Sequence, residues 1–242
     1  AVSRGDLKNI VEAAFYIERI PLFVGSAGLA EEVAKKLTPS RAEAFQKIKS
    51  FKHILVVSGT ASSVTHQQLK QVEKRSIPSF QLTPSLILGD DAKAEKERKN
   101  LSRKIANSLP LGINILKAPS EMLDSKESAD HPVHLKITKT LASVALLALE
   151  ASRVDPHDLV LILTGGETAQ NVIDGLEPEG IEIEGELLEG IVRGHLIGGN
   201  WDGLTVVTKA GAFGKEDALE KIIKMLETGS PSTQEEKNEG LN

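Results

Sequence analysis

Cysteine is absent from all 242 residues. Disulfides, thiolate nucleophiles and Cys-ligated zinc are thereby excluded. Aromatic residues make up only 3% of the chain. The core must therefore be aliphatic, and the stacking platforms of single-strand nucleic-acid binders are lacking. Positive charge is not in surplus: the formal net charge is −5. That argues against a general nucleic-acid binder, which needs a basic face. It leaves phosphate-bearing small ligands open, because a local site can be positive on an acidic protein. The longest apolar stretch, around Leu141 to Leu149, is too short to span a bilayer. With no secretory signal visible either, a cytoplasmic protein without a membrane partner is expected. Three signatures are also missing: the Gly-x-x-x-x-Gly-Lys-Ser/Thr P-loop, the Gly-x-Gly-x-x-Gly fingerprint and the Gly-x-Ser-x-Gly elbow. A common P-loop ATPase, a standard dinucleotide enzyme and a standard α/β-hydrolase all lose support.

What is present is an alternation of apolar strands and amphipathic helices. Short strands are predicted at Leu22–Val24, His53–Val57, Phe80–Leu82, Ile113–Leu116, His157–Leu163, Ile181–Ile183, around Val192 and at Leu204–Val207. Helices follow most of them, including a long one from about His131 to Arg153 whose middle is apolar on nearly every side. Repeated strand–loop–helix units predict an α/β fold: a mainly parallel sheet flanked by helices in three layers. Residues 1–227 are expected to form this domain. Residues 228–242, rich in Ser, Glu, Gly and Asn and without an apolar face, are expected to be a flexible tail.

Parallel sheets bind ligands beyond the carboxyl ends of their strands. Four loops are predicted there, at Gly25, Ser58, Gly165 and Gly211. Gly165 and Gly166 link a strand to a helix, so backbone N–H groups and a positive dipole end can face an anion. The competing reading is that any tight strand-to-helix turn favours glycine. Glu167 would repel a phosphate unless a metal ion or a sugar hydroxyl intervenes, and equally suits the first helical turn. Thr168 fits either a phosphate contact or a helix cap. Lys209, Gly211 and Gly214 form a second glycine loop that brings a cation. Ser26, Ser58, Thr60, Ser62 and Ser63 carry hydroxyls suited to phosphate or to capping. His131 and His134 have helical i, i+3 spacing but no third ligand, so no metal site is assigned. Asp90 and Asp91 could meet Mg²⁺ but better suit a helix start, and Trp201 better suits packing than base stacking.

These motifs together resemble the four-carbon acid sugar kinase family, in its C-terminal, nucleotide-binding half. Leu163-Thr164-Gly165-Gly166-Glu167-Thr168-Ala169 is similar to that family's Gly-Gly-Glu-Thr loop. Val207-Thr208-Lys209-Ala210-Gly211-Ala212-Phe213-Gly214 is similar to its Thr-Lys-Ser-Gly-x-Phe-Gly loop, with Ala210 where Ser is usual. Val24 to Ala30, Val57 to Ser62, Gly185-Glu186 with Gly190, and Ile197-Gly198-Gly199 extend the likeness over residues 5 to 226. The resemblance implies ATP- and Mg²⁺-dependent phosphorylation of a terminal hydroxyl on threonate, erythronate or an oxo-tetronate. It places Ser58, Gly165, Gly166, Glu167, Thr168 and Gly211 against ATP, while the loops themselves offer Gly25, Ser26, Lys209 and Gly214 as candidate phosphate contacts. In that family a substrate-binding domain precedes this half and carries an aspartate-rich motif. Nothing in the chain corresponds to it, so the catalytic base and most sugar contacts are expected in a missing N-terminal domain. A regulatory or partner subunit that binds nucleotide without catalysis is the other reading, and association into a homo-oligomer stays open.

Overall fold

In a computed structural model of the chain, residues 1–17, 19, 21–38, 48–89, 92–123 and 131–230 are described. They belong to two compact units, Ala1–Gln46 and Lys47–Asn242. The first unit holds helices α1 (Arg4–Phe15) and α2 (Ala27–Leu37). Ser3 caps α1: the Asp6 N–H donates to Ser3 Oγ at 3.2 Å, and the Ser3 N–H donates back to the Asp6 carboxylate at 3.0 Å. Such a reciprocal pair satisfies donors that the first turn would otherwise leave open. The strand expected at Leu22–Val24 does not form; Leu22 and Val24 are 91% and 86% exposed. A strand is stabilised by a paired neighbour, and this segment has no ladder partner among the described residues. The loop at Gly25 and Ser26 thus follows no strand, which corrects its expected place at a sheet edge.

The second unit is built on seven strands: β1 (His53–Ser58), β2 (Ser79–Gln81), β3 (Ile113–Lys117), β4 (Leu159–Thr164), β5 (Gly180–Leu188), β6 (Ile191–Ile197) and β7 (Thr205–Lys209). Their order across the sheet is β2-β3-β1-β4-β7-β6-β5. The first five in that order are parallel; β6 and β5 continue the sheet as an antiparallel hairpin. Near-continuous apolar runs such as Leu159–Leu163 suit a strand buried on both faces, and every residue of β4 is buried.

Side-chain alternation divides the core in two. Leu55, Val57, Leu161 and Leu163 face one layer with α4 (Pro84–Leu88), α5 (Ala92–Ser108), α7 (His131–Ser152) and α8 (Gly166–Leu176). Ile54, Val56, Val160 and Ile162 face the other with α3 (Ser63–Glu73) and α9 (Ala218–Thr228). A four-residue helix, α6 (Ser120–Leu123), follows β3. The mainly parallel, three-layer α/β fold is therefore as expected from the sequence. The long α7 is less enclosed than its composition suggests: Ser143 is exposed and Leu146 and Leu147 are half-buried. Trp201 packs against the α7-side core. Asp90 and Asp91 and most of the C-terminal tail lie outside the described residues.

Strands β1 and β4 are neighbours, yet the chain leaves β1 into α3 on one face and β4 into α8 on the other. Two connections that diverge this way open a crevice at the carboxyl edge, the usual ligand position of such sheets.

Candidate functional site

The crevice is bordered by three segments. Ser58 and residues 59–62 lead from β1 into α3, Gly165 links β4 to α8, whose first turn is residues 166–168, and residues 210–215 follow β7. They converge closely. The Gly165 N–H donates to the Lys209 carbonyl at 3.0 Å. A Cβ on Gly165 would lie 3.4 Å from Thr60 Cβ, and one on Gly211 would collide with Thr60 Oγ1 and stand 3.2 Å from Ser62 Cβ. Thr60 thus sits between the two glycine turns, which sequence distance alone separates by more than forty residues. The turn at Gly25 lies in the other unit.

Gly165 has φ +95°, a conformation strained for any residue with a Cβ. As the N-cap of α8 it offers no side-chain acceptor. The first i→i−4 bond of α8 runs from the Ala169 N–H to the Gly165 carbonyl at 2.9 Å. The amides of Gly166, Glu167 and Thr168 therefore precede the helical ladder, at the positive end of the helix dipole. Ser62, at the N-cap of α3, makes no side-chain capping bond either. Its hydroxyl is not used in the way that capping would require.

Beneath these amides lie buried hydroxyls. Thr164 Oγ1 donates to Ser58 Oγ at 2.8 Å across the β1–β4 pair. Since Ser58 accepts there, its own O–H proton is left to donate elsewhere. Thr168 is 1% exposed, and its Oγ1 has no hydrogen-bond partner among the described residues. A buried unpaired hydroxyl costs about 1–3 kcal/mol, so its presence points to a ligand group that completes it. Thr168 Oγ1 stands 3.6 Å from the Cβ position of Gly165 and overlaps that of Gly59, whose Cβ would also meet Leu141 Cδ1 at 2.7 Å. Only a residue without a side chain leaves that hydroxyl room.

The Glu167 side chain is turned toward α7. Its Oε2 lies 2.7 Å from His134 Nδ1 on α7, the nitrogen donating because a carboxylate only accepts. Among the described residues no three His, Cys, Asp or Glu side chains are grouped to hold a metal ion.

Lys209 is far more enclosed than a strand-end lysine expected to reach a phosphate or solvent. It is 2% exposed. Its Nζ donates to Thr65 Oγ1 at 3.1 Å and to the carbonyls of Ala210 at 3.1 Å and Gly211 at 3.4 Å. Burial pushes its ammonium down to about 8. Lys209 is thus held under the loop, where carbonyl and hydroxyl oxygens take up its three protons.

Two residues of α3 escaped the sequence reading. Thr65 Oγ1 donates to the Gly211 carbonyl at 2.6 Å. Gln68 Nε2 donates to the carbonyls of Phe213 and Gly214 at 3.2 Å and of Lys215 at 2.8 Å. Both are fully buried. A signal was present: Thr65 and Gln68 share the i, i+3, i+4, i+7 stripe with Leu69 and Val72, and polar residues on a buried stripe need partners. Gly214, exposed on the outer turn of this loop with φ +84°, is held by the same amide.

The family described as nucleotide-binding C-terminal domain matches residues 55–219. The chain is 27% identical over 237 residues to a D-threonate kinase of Salmonella typhimurium, covering 94% of the chain and 53% of that kinase. It is 25% identical over 238 residues to a D-erythronate kinase of Heliobacterium modesticaldum, again covering 94% and 53%. It spans about half the length of the curated relatives it matches. Among solved structures, Haemophilus influenzae protein HI1011 superposes with a TM-score of 0.69 at 21% identity, over 93% of the chain and 52% of that protein. A Bordetella bronchiseptica domain of unknown function, a domain-swapped dimer with bound citrate, gives 0.59 at 22% identity, over 94% and 52%. The fold is shared with both.

Proposed function

The chain belongs to the family of nucleotide-binding C-terminal domains, and from that membership we propose that it is the ATP-binding part of a kinase acting on four-carbon acid sugars. The observation that carries the reading is the orphaned, buried Thr168 hydroxyl beneath the open N-terminus of α8. A nucleotide's phosphates answer what the crevice offers: peptide N–H groups at residues 166–168, the spare Ser58 proton, and the Thr168 hydroxyl. Phosphoryl transfer depends chiefly on positioning and charge neutralisation, and this donor set supplies both. Among the described residues no carboxylates are grouped there for a metal. Mg²⁺ suits the donor set as a companion of the nucleotide, carried on phosphate oxygens and water.

Substrate choice and the proton-accepting base belong, in this proposal, to a substrate-binding domain like that expected in the remaining half of the relatives' length. The names of those relatives, threonate and erythronate kinases, support a four-carbon acid as the acceptor. Calorimetry with ATP and ADP in the presence of Mg²⁺ tests the nucleotide part. Binding is expected at up to millimolar nucleotide, and Thr168→Val is expected to weaken it by about tenfold, the loss of one hydrogen bond to a charged group. No heat from the unaltered chain at millimolar nucleotide would overturn the assignment. Turnover of threonate or erythronate is expected only when a substrate-binding half is supplied.

A further inference from the structure

We propose that Lys209 and Thr65 form a latch that sets the orientation of the Gly211 loop, making Lys209 a positioning residue and not a direct phosphate ligand. The inference rests on the nucleotide reading of the crevice given above. Five carbonyl oxygens of this loop are held by three side chains: Ala210 and Gly211 by Lys209, Gly211 also by Thr65, and Phe213, Gly214 and Lys215 by Gln68. Thr65 links the set, since its hydroxyl accepts from Lys209 Nζ and donates to the Gly211 carbonyl.

The consequence follows from the peptide unit. All peptide bonds of the described residues are trans, so each C=O and the N–H of the next residue point in opposite directions. Turning the Ala210 and Gly211 carbonyls toward Lys209 and Thr65 therefore turns the Gly211 and Ala212 N–H groups away from them. Gly211 borders Thr60 and Ser62 of the crevice. A loop free to rotate would present carbonyl oxygens, which repel phosphate. The latched loop keeps those oxygens beneath it, next to a buried positive charge that itself favours an anion above.

Gln68 anchors the far side of the loop independently, so cutting the latch is expected to leave the fold intact and to loosen residues 210–212. Lys209 is also sterically occupied: a direct ligand would have to abandon three acceptors within 3.4 Å.

The experiment compares Thr65→Val, Thr65→Ser and Lys209→Met in the full chain. It reads Mg-ATP affinity by calorimetry and, without nucleotide, hydrogen exchange of the Phe213 amide, which donates to the latched Ala210 carbonyl at 3.1 Å. Thr65→Val is expected to weaken ATP by about tenfold, the scale of one lost hydrogen bond to a charged group, and to accelerate exchange of the Phe213 amide. Thr65→Ser, which restores the hydroxyl, is expected to match the unaltered chain in both. Lys209→Met is expected to reproduce both losses. Two outcomes overturn the latch: Thr65→Val binding ATP as well as the unaltered chain while Lys209→Met does not, which would make Lys209 a direct ligand, or exchange of the Phe213 amide unchanged in both variants. Failure of the unaltered chain to bind ATP would instead sink the nucleotide reading, and the exchange measurement would still decide the latch. Should Thr65→Val not fold, Lys209→Met carries the same two readouts.

Discussion

Lys209 shows how much a single side chain's environment changes its meaning. In the sequence it is a cation beside a glycine loop. In the fold it is a desolvated ammonium, and burial lowers it from 10.5 to about 8. The unfolded chain keeps that proton to its ordinary value, whereas the folded chain releases it near 8. Between those limits the unfolded state binds more protons, so folding stability rises with pH across that window and the penalty is fully present below it. The expected outcome is measurable by urea unfolding at pH 7 and pH 9.5. The unaltered chain should gain stability relative to Lys209→Met as pH rises, by no more than about 3 kcal/mol. A difference between the two that stays flat with pH would show that the ammonium is not desolvated. Other titrating groups are common to both proteins and cancel. Ser58 and Thr168 make the complementary point. Both were marked by sequence as hydroxyls suited to phosphate or to capping, and pairing across β1–β4 decided that Ser58 keeps a proton to give.

Among the elements, the strands with strong apolar runs were the most legible. His53–Ser58 and Leu159–Thr164 are buried on both faces, and an unbroken run of Ile, Leu and Val has few other destinations. Leu22–Val24 carries the same local signal and makes no strand, because three apolar residues cannot supply their own ladder partner. Helices α3 and α8 were legible as helices, but not that their N-termini face one crevice from opposite layers. That arrangement depends on Gly59, the turn residue to which sequence attached no special role. Gly59→Ala is expected to destabilise the chain by about 1–3 kcal/mol, the cost of overpacking, since its Cβ would overlap the Thr168 hydroxyl and stand 2.7 Å from Leu141 Cδ1. Denaturant unfolding checks the stability, and a parallel loss of ATP binding is expected as the crevice closes. Unchanged stability would mean that α8 shifts freely against β1.

The whole molecule supplies what no segment holds alone: turns from distant parts of the chain around one small volume. Because such a site exists only in the folded state, its ligand must stabilise that state by mass action. Saturating the chain at about a hundred times Kd should add roughly 2.7 kcal/mol, which raises the melting midpoint by several degrees. A thermal melt with Mg-ATP, compared with sugar phosphates at the same concentration, reads this directly. A larger shift with a sugar phosphate would point to a different enzyme at the same turns. Among the described residues no helix is long and apolar enough to cross a membrane.

From the amino-acid order alone came the α/β class, most strand and helix positions and the glycine turns at Gly165 and Gly211. These follow from periodicity and from backbone geometry that few residues tolerate, both of which are local. Only the tertiary structure decided which turns share a crevice, that Glu167 bonds to His134, and that Lys209 lies under its loop. Each of those depends on a partner more than thirty residues away or on exclusion of water by the packed core, and neither is written in a residue's immediate neighbours.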